Sequence, residues 1–262
     1  MQIKINDKKK KDMFVSIFQV LKNCSTLISI TFEHDFMHIQ GMDKTHICLF
    51  DVKIREKWFN EYSVSTTNKI CFDSNVFHSI ISIKSDNQDL IIRLDQDEDE
   101  GSSDILHITF ISEELKKGDF KKSFKMPLME YEYEEMNIPS TDYDAEFSLS
   151  SKQITDMFSQ LSNFGSDIII NCTEEDINLN TNGVTGEMRV DIPIDDLSSY
   201  SIVEGEEIKL TYSLNYINKM CITNKLSSDI EFSLSNDRPM KINYNLGDDS
   251  IMVFYIAPKM NE

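Results

Sequence analysis

The 262-residue sequence is poor in several residue types, with 8 glycines, 5 prolines, 5 cysteines and 1 tryptophan. Glycine is the residue that builds nucleotide-binding loops, and cysteine is the one that builds disulfide frameworks. The sequence has no GxxxxGK(S/T) or GxGxxG pattern, so nothing indicates a nucleotide-hydrolysing enzyme. The cysteines are odd in number and form no CxxC pair, which argues against disulfides and a zinc site. No apolar run approaches the roughly 18 residues that span a bilayer, and the N-terminus lacks the apolar stretch of a signal peptide. We therefore expect a soluble, intracellular protein with buried free thiols.

Sequence patterns of catalysis are also missing. There is no HExxH motif and no GxSxG elbow, and His34 and His38, although four residues apart, sit in a strand pattern. An acidic tract at 95–100 lacks the ligand spacing of a calcium loop and is most simply a solvated hairpin. We therefore expect no catalytic residue, no metal site and no cofactor. A metal-dependent nuclease or phosphatase that uses this tract is a remote alternative.

Positive charge is scarce, because 26 Lys and Arg face 45 Asp and Glu, which gives a formal net charge of −19. A uniformly acidic surface would repel nucleic acid. Helices are predicted at 8–23, 73–84, 151–163 and 214–225, and these four segments together carry a net charge of +6, which leaves −25 on the rest. We interpret this segregation as a helical face that meets backbone phosphate without reading the base sequence.

The chain contains an internal duplication. Residues 21–40 align without a gap to residues 161–180, so that apolar positions such as Ile28 and Ile168 coincide. Each half begins with an amphipathic helix that is followed by alternating strands, and later contains a strand that leads into a second helix. This pattern predicts an α+β fold of two similar domains, in which antiparallel sheets bury one face against two helices.

The domain boundaries are predicted from the segment between the two copies. Residues 126–143 carry two prolines, a cluster of acids and no sustained period, which is typical of an extended linker. We therefore predict an N-terminal domain at 1–125, an interdomain connector at 126–143 and a C-terminal domain at 144–262.

Four short stretches resemble the proliferating cell nuclear antigen family, the eukaryotic and archaeal DNA sliding clamps: residues 40–47 (QGMDKTHI), 137–139 (NIP), 225–228 (KLSS) and 255–259 (YIAPK). They occur in the family's order and span nearly the whole chain. The resemblance implies the DNA-clamp fold and a homotrimeric ring, with helices lining a central hole and sheets on the outside. Duplex DNA would pass through the hole, and the protein would catalyse no reaction. The divergence between these stretches indicates a viral or protist member.

The resemblance also implies partners. These are double-stranded DNA, a DNA polymerase and other replication or repair proteins that carry a clamp-binding peptide, a clamp-loader ATPase, and two further copies of the chain. The expected location is the nucleus, or a viral replication compartment in an infected cell. No membrane partner is expected.

Candidate DNA-binding residues are the lysines of the predicted helices. Lys22 falls on a family position that faces DNA, and Lys84 lies within about one residue of another, whereas the others are displaced from the family's columns. The set consists of Lys8, Lys9, Lys10, Lys11, Lys22, Lys84, Lys152, Lys219 and Lys225.

A second candidate site is the pocket that, in the family, holds a peptide with a Gln and paired aromatic residues beneath the connector. The matching residues are Met42, His46, Ile47, Leu49, Met136, Ile138, Pro239, Tyr255, Ala257 and Pro258. Flexible and small apolar side chains suit a site that accepts several partners in turn. Without the resemblance, Met42, Leu49 and Ile138 would be interpreted as ordinary core residues.

For the contact between subunits, the family pairs the strand before the connector with a strand of the next subunit's second domain. We place these strands at 120–126 and 177–181, with Phe124, Met126, Ile177 and Leu179 as apolar contacts. A clamp-fold polymerase accessory or checkpoint clamp that acts as a monomer or heteromer is the main alternative to a homotrimer.

Overall fold

The structure is a computed structural model that describes residues 1–94, 104–112, 119–130, 136–139 and 141–259. The acidic tract at 95–100 and part of the predicted connector lie outside the described residues. Within them, the four predicted helices are present: α1 Lys8–Cys24, α2 Ser74–Ile81, α3 Ser151–Leu161 and α4 Leu214–Met220. Asp7 caps α1 by accepting a hydrogen bond from the amide of Lys10, and Asp73 caps α2 in the same way.

The described residues also form strands, which are listed here in chain order. They are β1 Gln2–Ile5, β2 Leu27–Phe32, β3 Phe36–Met42, β4 Cys48–Arg55, β5 Glu61–Ser63, β6 Asn68–Asp73, β7 Asp89–Leu94, β8 Ile105–Ile111, β9 Lys122–Pro127, β10 Ala145–Ser150, β11 Asp167–Cys172, β12 Asp176–Gly183, β13 Gly186–Pro193, β14 Ser199–Ile202, β15 Ile208–Ser213, β16 Asp229–Ser235, β17 Arg238–Gly247 and β18 Ser250–Ile256. The strand pairs whose register is defined are antiparallel, which confirms the predicted α+β class.

The chain divides into two compact units that are not continuous in sequence. The first consists of Met1–Gly41, Asp51–Glu135 and Leu246–Ile251, and the second of Met42–Phe50, Met136–Asn245 and Met252–Glu262. The domain boundaries predicted from the sequence, with the first domain ending at 125 and the second beginning at 144, remain a prediction.

The first unit contains a five-stranded sheet in the order β5-β1-β7-β8-β9, and a separate run of strands β3-β2-β6. Its two helices share an aromatic core with β6. The ring of Phe77 lies 4.5 Å from the ring of Phe18 on α1 and 4.5 Å from that of Phe72 on β6. These side chains are buried, which fixes the two helices against the strands through apolar contact.

The second unit repeats this plan with a four-stranded sheet in the order β13-β12-β11-β15 and a run β14-β10-β16-β17-β18. Phe158 on α3, which corresponds to Phe18 in the internal duplication, packs 6.0 Å from Phe232 on β16. Phe232 stacks in turn on Phe147 at 5.0 Å. The buried face of α3 is therefore the apolar stripe that the sequence predicted.

All five cysteines lie within the described residues, and all are buried thiols that form no disulfide. Burial raises the pKa of the Cys172 and Cys221 thiols to about 12. The prediction of buried thiols without disulfides is confirmed.

Candidate functional site

Lys11, a predicted DNA-binding residue, is completely buried. Its Nζ donates to three carbonyl oxygens of the loop after α2, those of Ser85, Asp86 and Gln88, at 3.4, 2.9 and 2.5 Å. Burial above all, together with the charge of Lys84, lowers the pKa of this ammonium group. The prediction that Lys11 contacts DNA is wrong, because its ammonium group is buried inside the first unit and donates its hydrogen bonds to carbonyl oxygens of a loop.

Three further candidate lysines bind carboxylates of the first unit: Lys84 binds Asp12, Lys8 binds Asp86 at 2.5 Å, and Lys10 binds Asp248 at 2.8 Å. The Lys84 side chain is only 13% exposed. Lys10 also donates to the carbonyl oxygen of Trp58 at 2.7 Å. Because a paired ammonium group contributes little net field, Lys10 and Lys84 are poor candidates for phosphate contact. The pair made by Lys8 is exposed and therefore weak.

Besides Lys8 and Lys10, whose side chains are also at least partly exposed but bind carboxylates, five of the nine candidate lysines are exposed or partly exposed. Lys9, Lys152, Lys219 and Lys225 are exposed, and Lys22 is half-buried at the end of α1. Two of them lie on α3 and α4, and Lys225 follows α4. The helical charge predicted from the sequence is therefore concentrated in fewer side chains than the composition indicates.

Neutral polar residues occupy much of the remaining exposed helical surface, and the sequence analysis did not single them out. The exposed members are Asn75 and Ser79 on α2, Gln153, Ser159 and Gln160 on α3, and Asn215 on α4. The sequence could have identified these residues, because each lies away from the apolar stripe of its helix and is therefore predicted to be exposed. Amide and hydroxyl groups can donate hydrogen bonds to phosphate without adding charge.

All ten predicted pocket residues belong to the second unit. Each is half-buried or exposed, so Met42, Leu49 and Ile138 are not fully buried core residues. The C-terminal segment is held beside the loop before β4, because the amide of Ala257 donates to the carbonyl oxygen of Ile47 at 3.0 Å. The amide of Lys259 donates to the carbonyl oxygen of Thr211 at 2.7 Å. Half-exposed apolar side chains beside an ordered terminal segment can form a docking surface for a peptide.

The loop between β3 and β4 is organised by Asp43, which the sequence analysis did not single out. Its Oδ1 accepts hydrogen bonds from the amides of Ile47 and Cys48 at 2.8 and 2.7 Å, and its Oδ2 accepts from the amide of Thr45 at 3.0 Å. Burial would raise the pKa of this carboxyl, but the hydrogen bonds from Cys48 and Thr45 outweigh it, so the pKa is lowered. The carboxylate therefore stays ionised and holds the loop.

The predicted contact residues Phe124 and Met126 lie on β9, which is an edge of the five-stranded sheet in the described part of the chain. Phe124 is half-buried and Met126 is buried, and Lys121 and Lys125 point to solvent. An edge strand offers N–H and C=O groups for pairing with another chain.

The structure corrects the second interface strand. Ile177 and Leu179 lie on β12, which runs between β11 and β13, and they are 0% and 1% exposed. An interior strand has no free edge, so β12 cannot pair with a neighbour. Within the described residues the edge beside it is β13, and the alternation of Met188, Val190 and Ile192 was the sequence signal for that strand.

Other kinds of site find no support in the parts of the chain that the structure describes. These ranges contain no group of three or more His, Cys, Asp or Glu side chains arranged to hold a metal ion, and the tract at 95–100 lies outside them. None of the described helices is long and apolar enough to cross a membrane.

Comparisons with known proteins match both halves of the chain. Residues 7–135 match the family model described as "Proliferating cell nuclear antigen, N-terminal domain", and residues 137–259 match "Proliferating cell nuclear antigen, C-terminal domain". Two curated proteins are similar over most of their length, both named Proliferating cell nuclear antigen 1, from the K1 / Thailand and 3D7 isolates of Plasmodium falciparum. Each is 24% identical to this chain over 262 residues, with 94% of this chain and 93% of the relative covered.

Proposed function

Because the chain belongs to the proliferating cell nuclear antigen family, whose members are DNA sliding clamps and not enzymes, we propose that three copies close into a ring around duplex DNA. The α+β clamp fold and a sliding-clamp role in DNA replication follow from family membership. The trimer, the site residues and the individual partners are the proposal. The observation that supports it most directly is that the two domain matches together span almost the whole chain.

In the proposed ring, β9 of one subunit pairs with β13 of the next. Both are edge strands within the described residues, so each can complete its sheet by adding the other. The exposed residues are complementary in charge, because Lys121 precedes β9 and Lys125 lies on it, while β13 carries Glu187 and Asp191 against Arg189 and so has a net charge of −1. Arg189 forms an ion pair with Asp191 at 2.7 Å, which leaves Glu187 as the main acidic contact. A head-to-tail contact of this kind closes into a ring when the rotation between copies is one third of a turn.

We propose that DNA contact is made chiefly by the exposed lysines Lys9, Lys152, Lys219 and Lys225, together with Lys22 and the neutral polar residues of the helices. Contacts with phosphate are insensitive to base sequence, so displacement along the duplex meets a shallow energy profile. Retention on DNA then depends on ring closure and not on the strength of any one contact. Lys8 is a weaker contributor because its ammonium group already binds Asp86 in an exposed ion pair.

The ten pocket residues are proposed to hold a peptide with a Gln and paired aromatic residues, carried by DNA polymerase or by other replication and repair proteins. Half-exposed apolar side chains such as Met42 and Ile138 supply the surface on which aromatic anchors pack. A separate clamp-loader ATPase would open the ring. The place of action would be the nucleus or a viral replication compartment.

The proposal is tested by measuring the mass of the purified protein by size-exclusion chromatography with light scattering. We expect three times the chain mass of 30.4 kDa. A mass of 30.4 kDa at micromolar concentration would contradict the homotrimer and favour a clamp-fold accessory protein that acts as a monomer or heteromer. Stable retention of the trimer on circular DNA, and its loss when the circle is cut, would test encirclement separately.

A further inference from the structure

The hydroxyl group of Tyr216, on α4, reaches the loop between β3 and β4. It donates to Oδ2 of Asp43 at 3.0 Å and lies 2.5 Å from Oγ1 of Thr45, whose own hydroxyl also donates to Asp43. Tyr216 and Asp43 are 173 residues apart in sequence, yet both belong to the second unit. The contact therefore ties a helix proposed to face DNA to a loop proposed to bind peptides.

Asp43 is the centre of this contact and is only 6% exposed. Its two carboxylate oxygens accept five hydrogen bonds, three from backbone amides of the loop and two from the hydroxyls of Thr45 and Tyr216. Four of the five donors belong to residues 45–48 and would be present in the isolated loop. The fifth donor, Tyr216, belongs to α4, so it anchors the loop to that helix.

The conformation that Asp43 maintains determines where the pocket residues lie. His46 has a left-handed backbone with φ 59°, which a side chain other than glycine adopts only when its surroundings hold it there. The next residue, Ile47, accepts the hydrogen bond from Ala257 that fixes the C-terminal segment. Two walls of the proposed pocket, the loop and the terminal segment, therefore depend on one hydrogen-bonded turn.

We propose that Tyr216 is a positioning residue of the peptide pocket: its hydroxyl fixes the Asp43–Thr45 turn and thereby raises the affinity for the peptide. This inference rests on the proposed function, because it concerns the same pocket. The ring of Tyr216 also lies beneath the ammonium group of Lys219, with Nζ 5.6 Å from the ring centroid. Lys219, which is proposed to contact phosphate, therefore also contacts the tyrosine that is proposed to hold the pocket loop.

The test is Tyr216→Phe, which removes one oxygen atom and keeps the ring. Tyr200→Phe is the matched control, because Tyr200 is also half-buried in the second unit and donates its hydroxyl hydrogen to a backbone carbonyl, that of Thr173. The probe is a fluorescein-labelled peptide with a Gln and paired aromatic residues, and its Kd is measured by anisotropy. We expect Tyr216→Phe to weaken binding by about 3- to 10-fold and Tyr200→Phe to leave it unchanged.

A second readout separates positioning from general stability. Hydrogen exchange at the amides of Thr45, Ile47 and Cys48 should become faster in Tyr216→Phe, while the melting temperature falls no further than in Tyr200→Phe. Unchanged Kd and unchanged exchange at these three amides would overturn the inference while the pocket itself stands. A wild-type protein that binds no peptide would overturn the proposed pocket and this inference with it.

Asp43→Asn provides an independent check, because it keeps the shape of the side chain and removes the charge. We expect weaker peptide binding than in Tyr216→Phe, since every donor of the turn then meets a neutral acceptor or a competing amide. Asp43→Asn with wild-type affinity would also overturn the inference.

Discussion

The ammonium nitrogen of Lys22, on α1, lies 3.2 Å from Nδ1 of His78, on α2. Nε2 of the same ring lies 3.3 Å from Oγ of Ser82. This arrangement suits a neutral imidazole that accepts from Lys22 at Nδ1 and carries its hydrogen at Nε2. Burial, and then the charge of Lys22, lowers the pKa of His78.

The lowered pKa of His78 predicts a loss of stability toward acid. Below about pH 6.5 the unfolded chain takes up a proton at this residue while the folded chain resists it, so the contribution is full above that pH and is lost as pH falls toward the lowered value. Because the ring is partly exposed, we expect less than about 1 kcal/mol, or roughly 2 °C. Melting curves from pH 7.5 to 5.5 should show wild type losing more than His78→Gln. Parallel curves would contradict this.

Lys11→Met should destabilise the first unit although it replaces a buried charge with an apolar side chain. Met fills the space of the lysine stem, but three loop carbonyl oxygens lose their donor. We expect a loss of about 2 to 4 kcal/mol in the free energy of unfolding, measured with urea. Lys9→Met, at an exposed position two residues earlier on α1, is the control and should change stability by less than about 0.5 kcal/mol. Equal stability of the two variants would show that the buried ammonium is dispensable.

Two triple variants of equal charge change test which lysines contact DNA. Lys152→Ala, Lys219→Ala and Lys225→Ala together should reduce retention on circular DNA after loading by about tenfold or more, and weaken its dependence on salt. The second triple variant replaces Lys8, Lys10 and Lys84 with Ala and should stay within about twofold of wild type, because these groups are already paired. The mass of each variant in solution must first be that of wild type. If the second triple variant lost retention and the first did not, the DNA contacts would be assigned to Lys8, Lys10 and Lys84 instead.

Ile138→Asp should abolish peptide binding, because a carboxylate placed among apolar anchors loses its hydration. We expect the Kd to rise at least about 30-fold, a penalty of about 2 kcal/mol. Ile222→Asp is the matched control, since Ile222 is also an isoleucine of the second unit and is 45% exposed. Binding that survives Ile138→Asp would exclude this residue from the pocket.

Charge reversal on β9 should weaken the ring. Lys121→Glu with Lys125→Glu places carboxylates opposite those of β13, and we expect smaller particles by light scattering at low salt. Adding Glu187→Lys and Asp191→Lys should restore the trimer, because the charges are again complementary. Lys209→Glu with Lys241→Glu has the same net charge as the first variant and should remain trimeric. If Glu187→Lys and Asp191→Lys do not restore the trimer, β13 is not the strand that pairs with β9.

Local sequence patterns were sufficient for the helices and for most strands, because amphipathic periodicity and aspartate caps are properties of neighbouring residues. Lys11 could not be placed this way, because its partners lie 74 to 77 residues away and a lysine is ordinarily exposed. Ile177 and Leu179 were recognised as strand residues, but whether a strand is an edge depends on what pairs with both of its sides. Asp43 and Tyr216 were missed for the same reason, since their contact spans 173 residues.

The lysines on and just before β9 also have a consequence for the monomer before it assembles, because they disfavour aggregation through this strand edge. A free strand edge on a newly made protein is a template on which identical copies can stack without limit. Lys121, Lys122 and Lys125 give two β9 edges the same charge, so such copies repel each other at this strand. In the proposed ring, this edge therefore pairs with the acidic strand β13 of another copy and repels a second β9, and growth stops once each edge has its partner.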